Sequence, residues 1–508
     1  MISRRRFLQT SSALLALTPV IGNGANNRYP FTLGVASGSP SDSGGILWTR
    51  LAPDPLRGGG MPAGRVEVRY RVCRDQAMRS TLIDDVVVTS DDKVHSVHVA
   101  LQGLEAGRDY WYQFYVGEDE SPVGRLRTTD PRAASARFAL ASCQAWETGY
   151  YTAWRDVAEW APDCVIHVGD YIYEGGASAL GRHRRGSGET ALEYEVVRQH
   201  NGGEITTLWD YRNRHALYRS DPHLQAAHAA SPWLVAMDDH EVDNNWAGLI
   251  PQDPWAQTEQ EFRIRRLAAF KAWYEHMPVA QPPVIQGLES RLQMYGAWRF
   301  GPAQVHLLDT RQYRSDQVCG DGFPGEPACA RRDDPGRSMT GDEQEKWLLQ
   351  QLVRSEAPFN VIAQQTWMTP YRYASGDRYN MDQWDGYTAQ RRRLLEAMHG
   401  VRNPVVLSGD WHCAQASSLH LDPEDRSSPR VAFEFASTSI SSLCSWQDRV
   451  HEAAPDNPHV TYVNGRQRGY TRCTVGLDNW CSEFRVVDDP LSASSPLRTD
   501  FEFNTRDA

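Results

Sequence analysis

Apolar and polar side chains follow two different rhythms along the chain, and the change between them falls near residue 130. Between residues 28 and 130, apolar side chains recur at every second position in short runs separated by glycine and proline. Val66, Val68 and Tyr70 keep this spacing, and so does the segment Tyr110–Phe114. Alternation with a period of two is typical of half-buried β-strands. The pattern therefore predicts an all-β domain over residues 28–130.

One segment of this first region indicates which all-β fold to expect. Residues 101–114, with the sequence LQGLEAGRDYWYQF, resemble the tyrosine-bearing strand of immunoglobulin and fibronectin-III sandwiches. We therefore expect an N-terminal β-sandwich of this kind. The alternative is a β-rich extension that packs on the main domain. Neither the sandwich nor the extension predicts a catalytic or metal-binding residue in this region.

The pattern changes after residue 135, where short continuous apolar runs alternate with helical stretches. Continuous apolar runs are typical of strands that are buried on both faces. Five runs are strand candidates: Arg137–Ala141, Cys164–Val168, Trp233–Met237, Asn360–Ala363 and Pro404–Leu407. Helices are predicted over Glu259–Tyr274 and Gly341–Ser355. The alternation predicts an α/β domain over residues 135–508 whose central strands are covered on both faces.

Composition and charge exclude several classes of protein. The chain has 508 residues, of which 41% are hydrophobic and 10% aromatic, so it can bury large cores and is not disordered. Its formal net charge of −11 argues against broad nucleic-acid binding and against a polybasic membrane anchor. Beyond the N-terminus, no apolar run approaches the roughly 20 residues that a membrane span needs. We expect no specific nucleic-acid binding and no stable membrane anchor.

The N-terminus has the pattern of an export signal. Residues 3–8 read SRRRFL, and the apolar stretch from Ala13 to Ile21 that follows is too short to span a bilayer. This arrangement resembles a twin-arginine signal. It predicts a signal peptide over residues 1–25, the twin-arginine translocase as a partner during export, and a periplasmic or secreted location.

Cysteine usage permits single disulfides but not a disulfide scaffold. Nine cysteines in 508 residues are too few for such a scaffold. An oxidising destination still allows individual bridges, and Cys319 and Cys329 flank a turn-rich loop that a disulfide can close. We predict a disulfide between these two residues. The other cysteines cannot be paired from the sequence.

The candidate chemistry lies at the ends of four predicted strands. In open α/β sheets, ligands bind beyond the carboxyl ends of the strands. Four strands are followed there by side chains that bind metals, namely Cys143, Asp170, Tyr173, Asp238, Asp239, Asn245, Asp410 and His412. One such strand end carries little information, but the coincidence of four predicts a shared site.

The types of these side chains predict two different cations. Carboxylates gathered in one cleft raise each other's pKa values unless positive charge offsets their repulsion. Carboxylate and amide oxygens suit Ca²⁺, Mg²⁺ or Mn²⁺, whereas a thiolate, a phenolate and an imidazole prefer a transition metal. The set therefore predicts one iron-like and one calcium-like position.

A family resemblance rests on two signatures and on supporting segments between residues 34 and 441. The signatures are Gly169-Asp170-x-x-Tyr173 and Gly409-Asp410-x-His412. The supporting segments are residues 34–40 (GVASGSP), 47–50 (LWTR), 141–144 (ASCQ), 167–174 (HVGDYIYE), 238–246 (DDHEVDNNW), 308–314 (LDTRQYR) and 434–441 (EFASTSIS). Together they resemble the PhoD-type alkaline phosphatase and phosphodiesterase family of the metallophosphoesterase superfamily. The resemblance implies a calcineurin-like βαβαβ sandwich after the N-terminal β-sandwich, and hydrolysis of phosphate esters.

The resemblance also implies cofactors and a role for each ligand. It implies Fe³⁺ together with Ca²⁺, with Mg²⁺ or Mn²⁺ as alternatives at the calcium position. Asp170 is expected to bridge both metals, and Cys143, Tyr173 and His412 to complete the iron site. Asp410 is expected to bind calcium. The second calcium ligand comes from Asp238, Asp239 or Asn245, and the resemblance leaves this choice open.

Three further side chains are candidates for the catalytic step. Two adjacent cations lower the pKa of a water molecule, which can then attack phosphorus in line. Arg265 and Arg311 are candidates to stabilise the equatorial oxygens, and His240 is a candidate donor to the leaving group. Each has a structural alternative: a salt bridge from Arg311 to Asp309 or a neighbour, a structural role for Arg265 on its helix, and packing or capping for His240.

The predicted function is therefore that of an exported, metal-dependent phosphoesterase. Phosphate monoesters and diesters are both expected substrates, because attack by activated water tolerates either leaving group. An alternative among enzymes is a phospholipase D-like diesterase. An alternative from another class is a catalytically inactive protein whose β-sandwich binds a polyanion. The complete set of candidate ligands favours an enzyme.

Overall fold

The structure is a computed structural model that describes residues 29–185, 192–320, 326–373, 377–423 and 425–507. The predicted signal peptide, residues 1–25, lies outside the described residues. Within the described part of the chain, no helix is both long and apolar enough to cross a membrane.

The described residues form strands and helices in the following order. The first region contains β1 (Val35–Gly38), β2 (Gly45–Arg50), β3 (Arg65–Cys73), β4 (Thr81–Ser90), β5 (Ser96–Leu101), β6 (Asp109–Val116), β7 (Asp119–Glu120) and β8 (Gly124–Arg127). Next come β9 (Ala136–Ala141), α1 (Thr152–Trp160), β10 (Cys164–His167), β11 (Gly181–Arg185), β12 (Leu192–Val196), α2 (Leu208–Arg219), α3 (Pro222–Ala230), β13 (Pro232–Val235) and α4 (Glu259–His276).

The second half of the chain continues in the same mixed pattern. It contains β14 (Val284–Gln286), β15 (Glu289–Arg291), β16 (Gly296–Phe300), β17 (Ala303–Leu307), β18 (Glu326–Pro327), α5 (Gly341–Arg354), β19 (Phe359–Ala363), β20 (Arg378–Tyr379) and α6 (Thr388–His399). The last elements are β21 (Pro404–Ser408), β22 (Ala414–His420), β23 (Arg430–Ala436), α7 (Gln447–Ala453), β24 (Val460–Asn464), β25 (Arg468–Val475), β26 (Trp480–Val487) and β27 (Leu497–Asn504).

The five strands predicted after residue 135 are confirmed as β9, β10, β13, β19 and β21, and the two predicted helices as α4 and α5. Helix α4 begins with a capping box, in which Thr258 and Glu261 each accept a hydrogen bond from the other's backbone amide. Helix α5 begins after Thr340, whose side chain makes no capping hydrogen bond. Its first turn contains Asp342 and Glu343, whose negative charges stabilise the N-terminal end of the helix dipole.

Two large sheets organise the chain. The first has nine strands in the order β27-β26-β25-β9-β10-β13-β1-β2-β5, with β9, β10, β13 and β1 parallel. The second has seven strands in the order β16-β17-β19-β21-β23-β22-β24, with β17, β19, β21 and β23 parallel. The parallel strands that carry the predicted site therefore lie at the centre of each sheet.

The two sheets face each other, and helices cover their outer faces. In β10, Ile166 packs into the core between the sheets, while its neighbour Val165 packs against α1–α4. Helices α5 and α6 cover the other sheet, where Leu348 and Leu394 pack on Ile362. Both faces of the central strands are therefore buried, which explains why their sequences are apolar without alternation.

The N-terminal strands belong to two different sheets. Strands β3, β4, β6, β7 and β8 form a separate five-stranded sheet. It packs on β1, β2 and β5, and the shared core includes Leu47, Val99, Tyr112 and Phe114. Because β1, β2 and β5 also form one edge of the nine-stranded sheet, the N-terminal region is continuous with the α/β region through hydrogen-bonded strands.

A disulfide joins Cys319 and Cys329 in the structure, with the two Cα atoms 5.7 Å apart. This is the pair predicted from the sequence. The remaining seven cysteines are free thiols, and six of them are buried.

Candidate metal centre

The candidate site lies where the carboxyl ends of strands from both sheets meet. Strands β9, β10 and β13 of the first sheet and β21 of the second each end beside it. The loops after these strands line a cleft of about 920 Å³, whose walls include Asp170, Tyr173, Asp239, His240, Asp410 and His412. The structure thus brings together side chains from distant parts of the chain, such as Tyr173 and His412, which are 239 residues apart.

The first group of candidate ligands consists of Cys143, Asp170 and His412, whose ligand atoms all lie within 4.8 Å of one another. Tyr173 joins this group, because its hydroxyl donates to Oδ2 of Asp170 at 2.8 Å and lies 3.1 Å from Nε2 of His412. Nδ1 of His412 donates to the carbonyl oxygen of Leu443 at 2.6 Å. This contact fixes the tautomer and leaves Nε2 available as a ligand.

The second group consists of Asp238, Asp239 and Asp410, with ligand atoms within the same 4.8 Å limit. A third group, Asp170, Asp239 and His240, connects the first two. Asp170 and Asp239 therefore lie between the two ends of the cluster. This is the geometry that one bridging and several terminal ligands need.

The structure brings all three open candidates for the second metal ligand to one place. Asp238 and Asp239 both contribute to the second group. Both carboxylate oxygens of Asp239 accept backbone hydrogen bonds, one from His240 at 2.9 Å and one from Asn245 at 2.8 Å. Asn245 itself lines the cleft. The loop that carries these residues is thus closed around the Asp239 carboxylate.

Two buried carboxylate oxygens in the cluster have no hydrogen-bond partner. They are Oδ1 of Asp170 and Oδ2 of Asp238. An unpaired buried polar atom is costly, and a charged one more so. Cations bound between these oxygens would satisfy them. The donor set, with thiol and imidazole at one end and carboxylates at the other, fits two cations of different chemical preference.

The crowding of the acids also appears in their pKa values. Burial, reinforced by neighbouring carboxylates, raises the pKa values of Asp170 and Asp410 well above their usual range. Burial likewise raises the pKa of Asp238 to about 7. Asp239 differs, because His240 and a buried arginine outweigh the effect of burial and lower its pKa. The protein's own cations therefore offset only part of the negative charge.

The backbone at the site adopts a conformation that residues other than glycine rarely take. Five candidate ligands have left-handed φ angles between 52° and 61°, namely Cys143, Asp170, Asn245, Asp410 and His412. Such residues are uncommon and cluster at functional sites, where surrounding contacts hold them in place. The loops after four different strands, β9, β10, β13 and β21, thus share one unusual conformation.

Glu241 holds two of these turns together. It is fully buried, and its carboxylate accepts backbone hydrogen bonds from Asp170 at 3.2 Å, Tyr171 at 2.6 Å and Asp238 at 2.8 Å. Burial raises the pKa of Glu241 to about 8, although these amides oppose the rise. Gly169 allows the close approach, since a Cβ atom there would lie 2.3 Å from the Cβ atom of Asp238.

His240 lies on the wall of the cleft and is oriented by a carboxylate. Its Nδ1 donates to Oε2 of Glu174 at 2.7 Å, and its ring lies 4.2 Å from the ring of Tyr173. Burial lowers the pKa of His240, but Glu174 and the neighbouring aspartates outweigh this effect and raise it well above its usual value. This hydrogen bond fixes the orientation of the ring and leaves Nε2 on the edge that faces away from Glu174.

Arg311 lies behind the ligands and does not reach the cleft surface. Its side chain is fully buried, and Nε donates to Oδ1 of Asp238 at 2.5 Å. Its two terminal nitrogens each donate to a different oxygen of Asp382 at 2.9 Å. It also lies 3.8 Å from oxygens of Asp239 and Asp410. These contacts support a buried counter-ion to the acids, which is a different role from the predicted stabilisation of the transition state.

Arg265 lies further from the ligands. It projects from α4 and contacts Glu204 at 2.9 Å, Asp243 at 3.3 Å and the hydroxyl of Tyr211 at 3.1 Å. These contacts support the structural alternative given above, in which Arg265 holds the loop after β13 against α4.

Sequence reasoning missed three residues that support the site. Glu174 and Glu241 stand inside segments that carry the family resemblance, so their spacing from the ligands was a signal that could have been used. Asp382 lies in none of those segments and follows no predicted strand. Only its bidentate contact with Arg311 identifies it.

Comparisons with known proteins show the family to which the chain is similar. Residues 138–484 match the PhoD-like phosphatase family, and residues 16–130 match the N-terminal domain of PhoD-like phosphatases. The chain is 42% identical to alkaline phosphatase D of Bacillus subtilis (strain 168) over 97% of this chain and 86% of that protein. A solved structure of PhoD superimposes with a TM-score of 0.87 at 41% identity, covering 95% of this chain and 91% of the other.

The fold and the matched sequence define the chain as a phosphoric ester hydrolase. More specifically, it belongs to the PhoD-like phosphatase family and is a homologue of alkaline phosphatase D. The resemblance drawn from the sequence is therefore confirmed.

Proposed function

We propose that this chain is an exported phosphoesterase that holds Fe³⁺ and Ca²⁺ in the cluster at the strand ends and hydrolyses phosphate esters in the adjoining cleft. The observation that carries the proposal is the pair of unpartnered buried oxygens, Oδ1 of Asp170 and Oδ2 of Asp238, inside three overlapping groups of candidate ligands. We also infer that the two facing sheets with outer helices form a calcineurin-like βαβαβ sandwich.

The ligand groups support a specific division between the two cations. Cys143, Tyr173 and His412 would hold the iron, since thiolate, phenolate and imidazole suit a transition metal. Asp238 and Asp410 would hold the calcium, with Mg²⁺ or Mn²⁺ as alternatives. The two carboxylates between the groups, Asp170 and Asp239, would complete both positions. Asn245 is a further calcium ligand in this proposal, because its loop closes on Asp239.

The chain's own residues would bind and orient the substrate. When bound, the two cations would supply a polarised phosphoryl oxygen and an acidified water. His240 lines the cleft with its ring oriented by Glu174, and it would donate a proton to the ester oxygen that leaves. Arg311 would keep the acids in place from behind, and Arg265 would hold the loop after β13.

Metal analysis combined with one ligand substitution tests the proposal. The purified protein should contain iron and calcium, and Asp170→Asn should lose both metals and reduce kcat by more than about 100-fold, beyond the loss typical of residues that only support ligands. Asp385→Asn is the matched control, because Asp385 is an equally buried aspartate that pairs with Arg391 and lies outside the three ligand groups. Zinc alone in the active protein, or full activity of Asp170→Asn, would contradict the proposal.

The cleft also supports diesters as substrates. Its volume of about 920 Å³ leaves room for groups on both sides of a phosphate bound at the ligands. Rates on p-nitrophenyl phosphate, bis(p-nitrophenyl) phosphate and phosphatidylcholine test this point. We expect hydrolysis of both nitrophenyl esters. A clear preference for phosphatidylcholine would instead support a phospholipase D-like diesterase.

Export by the twin-arginine route is supported by the sequence of residues 3–8, SRRRFL. Replacing both Arg4 and Arg5 by lysine should retain the protein in the cytoplasm, and fractionation of cells with an activity assay measures this. Arg6→Lys is the control, since it changes the neighbouring arginine and leaves the pair intact. Normal export of the double variant would exclude this route.

A further inference from the structure

Two free cysteines lie in contact beside the candidate metal centre. The Sγ atoms of Cys413 and Cys444 are 3.3 Å apart, and both residues are buried. Within the described part of the chain, no other two free thiols lie within hydrogen-bonding distance of each other. A disulfide needs a separation of about 2.05 Å between the sulfurs, so a shift of little more than 1 Å would bring them to bonding distance.

The two cysteines belong to segments that already meet around His412. Cys413 directly follows His412, and Cys444 directly follows Leu443, whose carbonyl accepts the hydrogen bond from Nδ1 of His412. The buried guanidinium of Arg468 donates to the carbonyl oxygens of both His412, at 3.1 Å, and Ser442, at 2.6 Å. These contacts hold the two segments together, so a bond between the sulfurs does not require the segments to move closer as a whole.

Close packing around Cys413 and Cys444 limits the groups with which either sulfur can react in the folded protein. A Cβ atom on Gly465 would lie 2.7 Å from Sγ of Cys413, so this glycine permits the sulfur to occupy its position. Sγ of Cys444 lies 4.0 Å from the carbonyl oxygen of Trp411. Enclosure of this kind leaves each sulfur with the other sulfur as its reactive neighbour.

We propose that Cys413 and Cys444 are a second disulfide site, which is oxidised in the mature protein and fixes the segment that carries His412. In the reaction, a transient opening of the segment exposes one thiolate, which attacks a small disulfide, RSSR, and forms a mixed disulfide while releasing one RSH. The second thiolate then attacks the protein sulfur of the mixed disulfide and releases the other RSH. The two thiols lose two protons and two electrons, and RSSR accepts them. The importance of His412 rests on the proposed function, but the disulfide itself does not.

Counting alkylated cysteines tests the proposal without an activity assay. The purified protein is incubated with oxidised glutathione, unfolded in denaturant with a chelator, alkylated with iodoacetamide, and digested for peptide mass spectrometry. Seven cysteines are free outside the bridge between Cys319 and Cys329. We expect two of these seven to escape alkylation and a linked peptide to contain Cys413 and Cys444. Alkylation of both residues in the oxidised sample would overturn the proposal.

Two variants separate this pair from buried cysteines in general. Cys444→Ser should form no internal bridge, so oxidation blocks at most one thiol, that of Cys413 as a mixed disulfide, whereas Cys164→Ser, which changes a buried thiol in β10, should still lose two. If Cys444→Ser fails to fold, the linked peptide from the wild-type protein decides the question alone. A linked peptide with unchanged iron content before and after reduction would support the bridge and refute its role in fixing His412. Loss of iron on reduction would support both.

Discussion

Arg311 and Asp238 form a fully buried ion pair in which one oxygen of the carboxylate faces the guanidinium and the other has no partner. The same carboxylate thus contacts a cation of the protein on one side and the ligand cluster on the other. Asp382 holds the guanidinium in place through two hydrogen bonds. The position of Asp238 is therefore fixed from behind, independently of any metal.

Arg311→Met should destabilise the protein and also weaken metal binding. Removing one partner of a buried ion pair costs about 3–5 kcal/mol, because the remaining carboxylates lose their counter-ion. Thermal unfolding and metal analysis measure the two effects. Arg391→Met is the matched control, since Arg391 forms a buried pair with Asp385 at 2.7 Å and contacts none of the candidate ligands.

The control variant should lose comparable stability and keep its metals. If Arg311 instead stabilises the transition state, Arg311→Met would lower kcat while the melting temperature and the metal content stay at the wild-type values. That outcome would restore the role predicted from the sequence and contradict the buried counter-ion.

Glu241→Gln should disturb two turns at once. The amide nitrogen of glutamine cannot accept a hydrogen bond, so at least one of the three backbone amides that Glu241 now satisfies loses its acceptor. An unsatisfied buried donor costs about 1–3 kcal/mol. We expect a loss of this size in the free energy of unfolding, together with weaker metal binding.

Glu345→Gln is the comparison for this prediction. Glu345 is also buried, but it contacts Arg393 and Gln390 between α5 and α6, away from the ligands. Urea unfolding and metal titration of both variants provide the measurement. Equal metal affinity in Glu241→Gln and the wild type would show that the turns keep their positions without this carboxylate.

Gly169→Ala should damage the site through a steric clash. The added Cβ would lie 2.3 Å from Cβ and 2.6 Å from the backbone nitrogen of Asp238, so one of the two turns must move. Gly181→Ala is a close control, because Gly181 has a φ of +107° against +113° for Gly169 and no atom within 4 Å of its added Cβ. Both variants carry the backbone strain, and only one carries the clash.

We expect Gly169→Ala to lose metals and activity, and Gly181→Ala to retain both at a small loss of stability. Metal content and kcat of the two purified variants measure the difference. Similar metal content and kcat in the two variants would mean that the close approach of Gly169 to Asp238 does not affect metal binding or activity.

The strands and the candidate ligands were predictable from the sequence because each depends on a local pattern. Continuous apolar runs follow from burial on both faces, and the runs at Cys164–Val168 and Pro404–Leu407 correspond to β10 and β21. Candidate ligands such as Asp170 and Asp410 come shortly after such runs, and the parallel arrangement brings the strand ends together. Periodicity and position in the chain were sufficient for these features.

The remaining features depend on contacts between distant segments. No local pattern indicates that β1, β2 and β5 join the edge of the sheet formed by β9, β10 and β13. The role of Arg311 was likewise not predictable, since a guanidinium can face either substrate or buried acids. Only its contact with Asp382 shows that it faces buried acids. The pairing of Cys413 with Cys444 likewise arises from two segments that meet at His412.

His306→Phe should reduce the acid sensitivity of the protein without affecting the site. His306 is fully buried in β17, neither ring nitrogen has a hydrogen-bond partner, and burial lowers its pKa from 6.5 to about 4. The unfolded chain therefore binds a proton below pH 6.5 that the folded protein rejects. The stability due to the neutral ring is present above pH 6.5 and is lost as the pH falls towards 4. At pH 4.5 this loss is about 2 kcal/mol.

Urea unfolding at pH 7.5 and pH 4.5 measures this effect as the difference between the two free energies of unfolding. We expect that difference to be smaller in His306→Phe than in the wild type by about 2 kcal/mol, with kcat unchanged at pH 7.5. His399→Gln is the control, because His399 lies exposed at the end of α6. Other buried histidines, such as His215, titrate in all three proteins and cancel in the comparison. An identical difference in His306→Phe and the wild type would mean that the folded protein accepts the proton on His306 without penalty, through opening of the strand or entry of water.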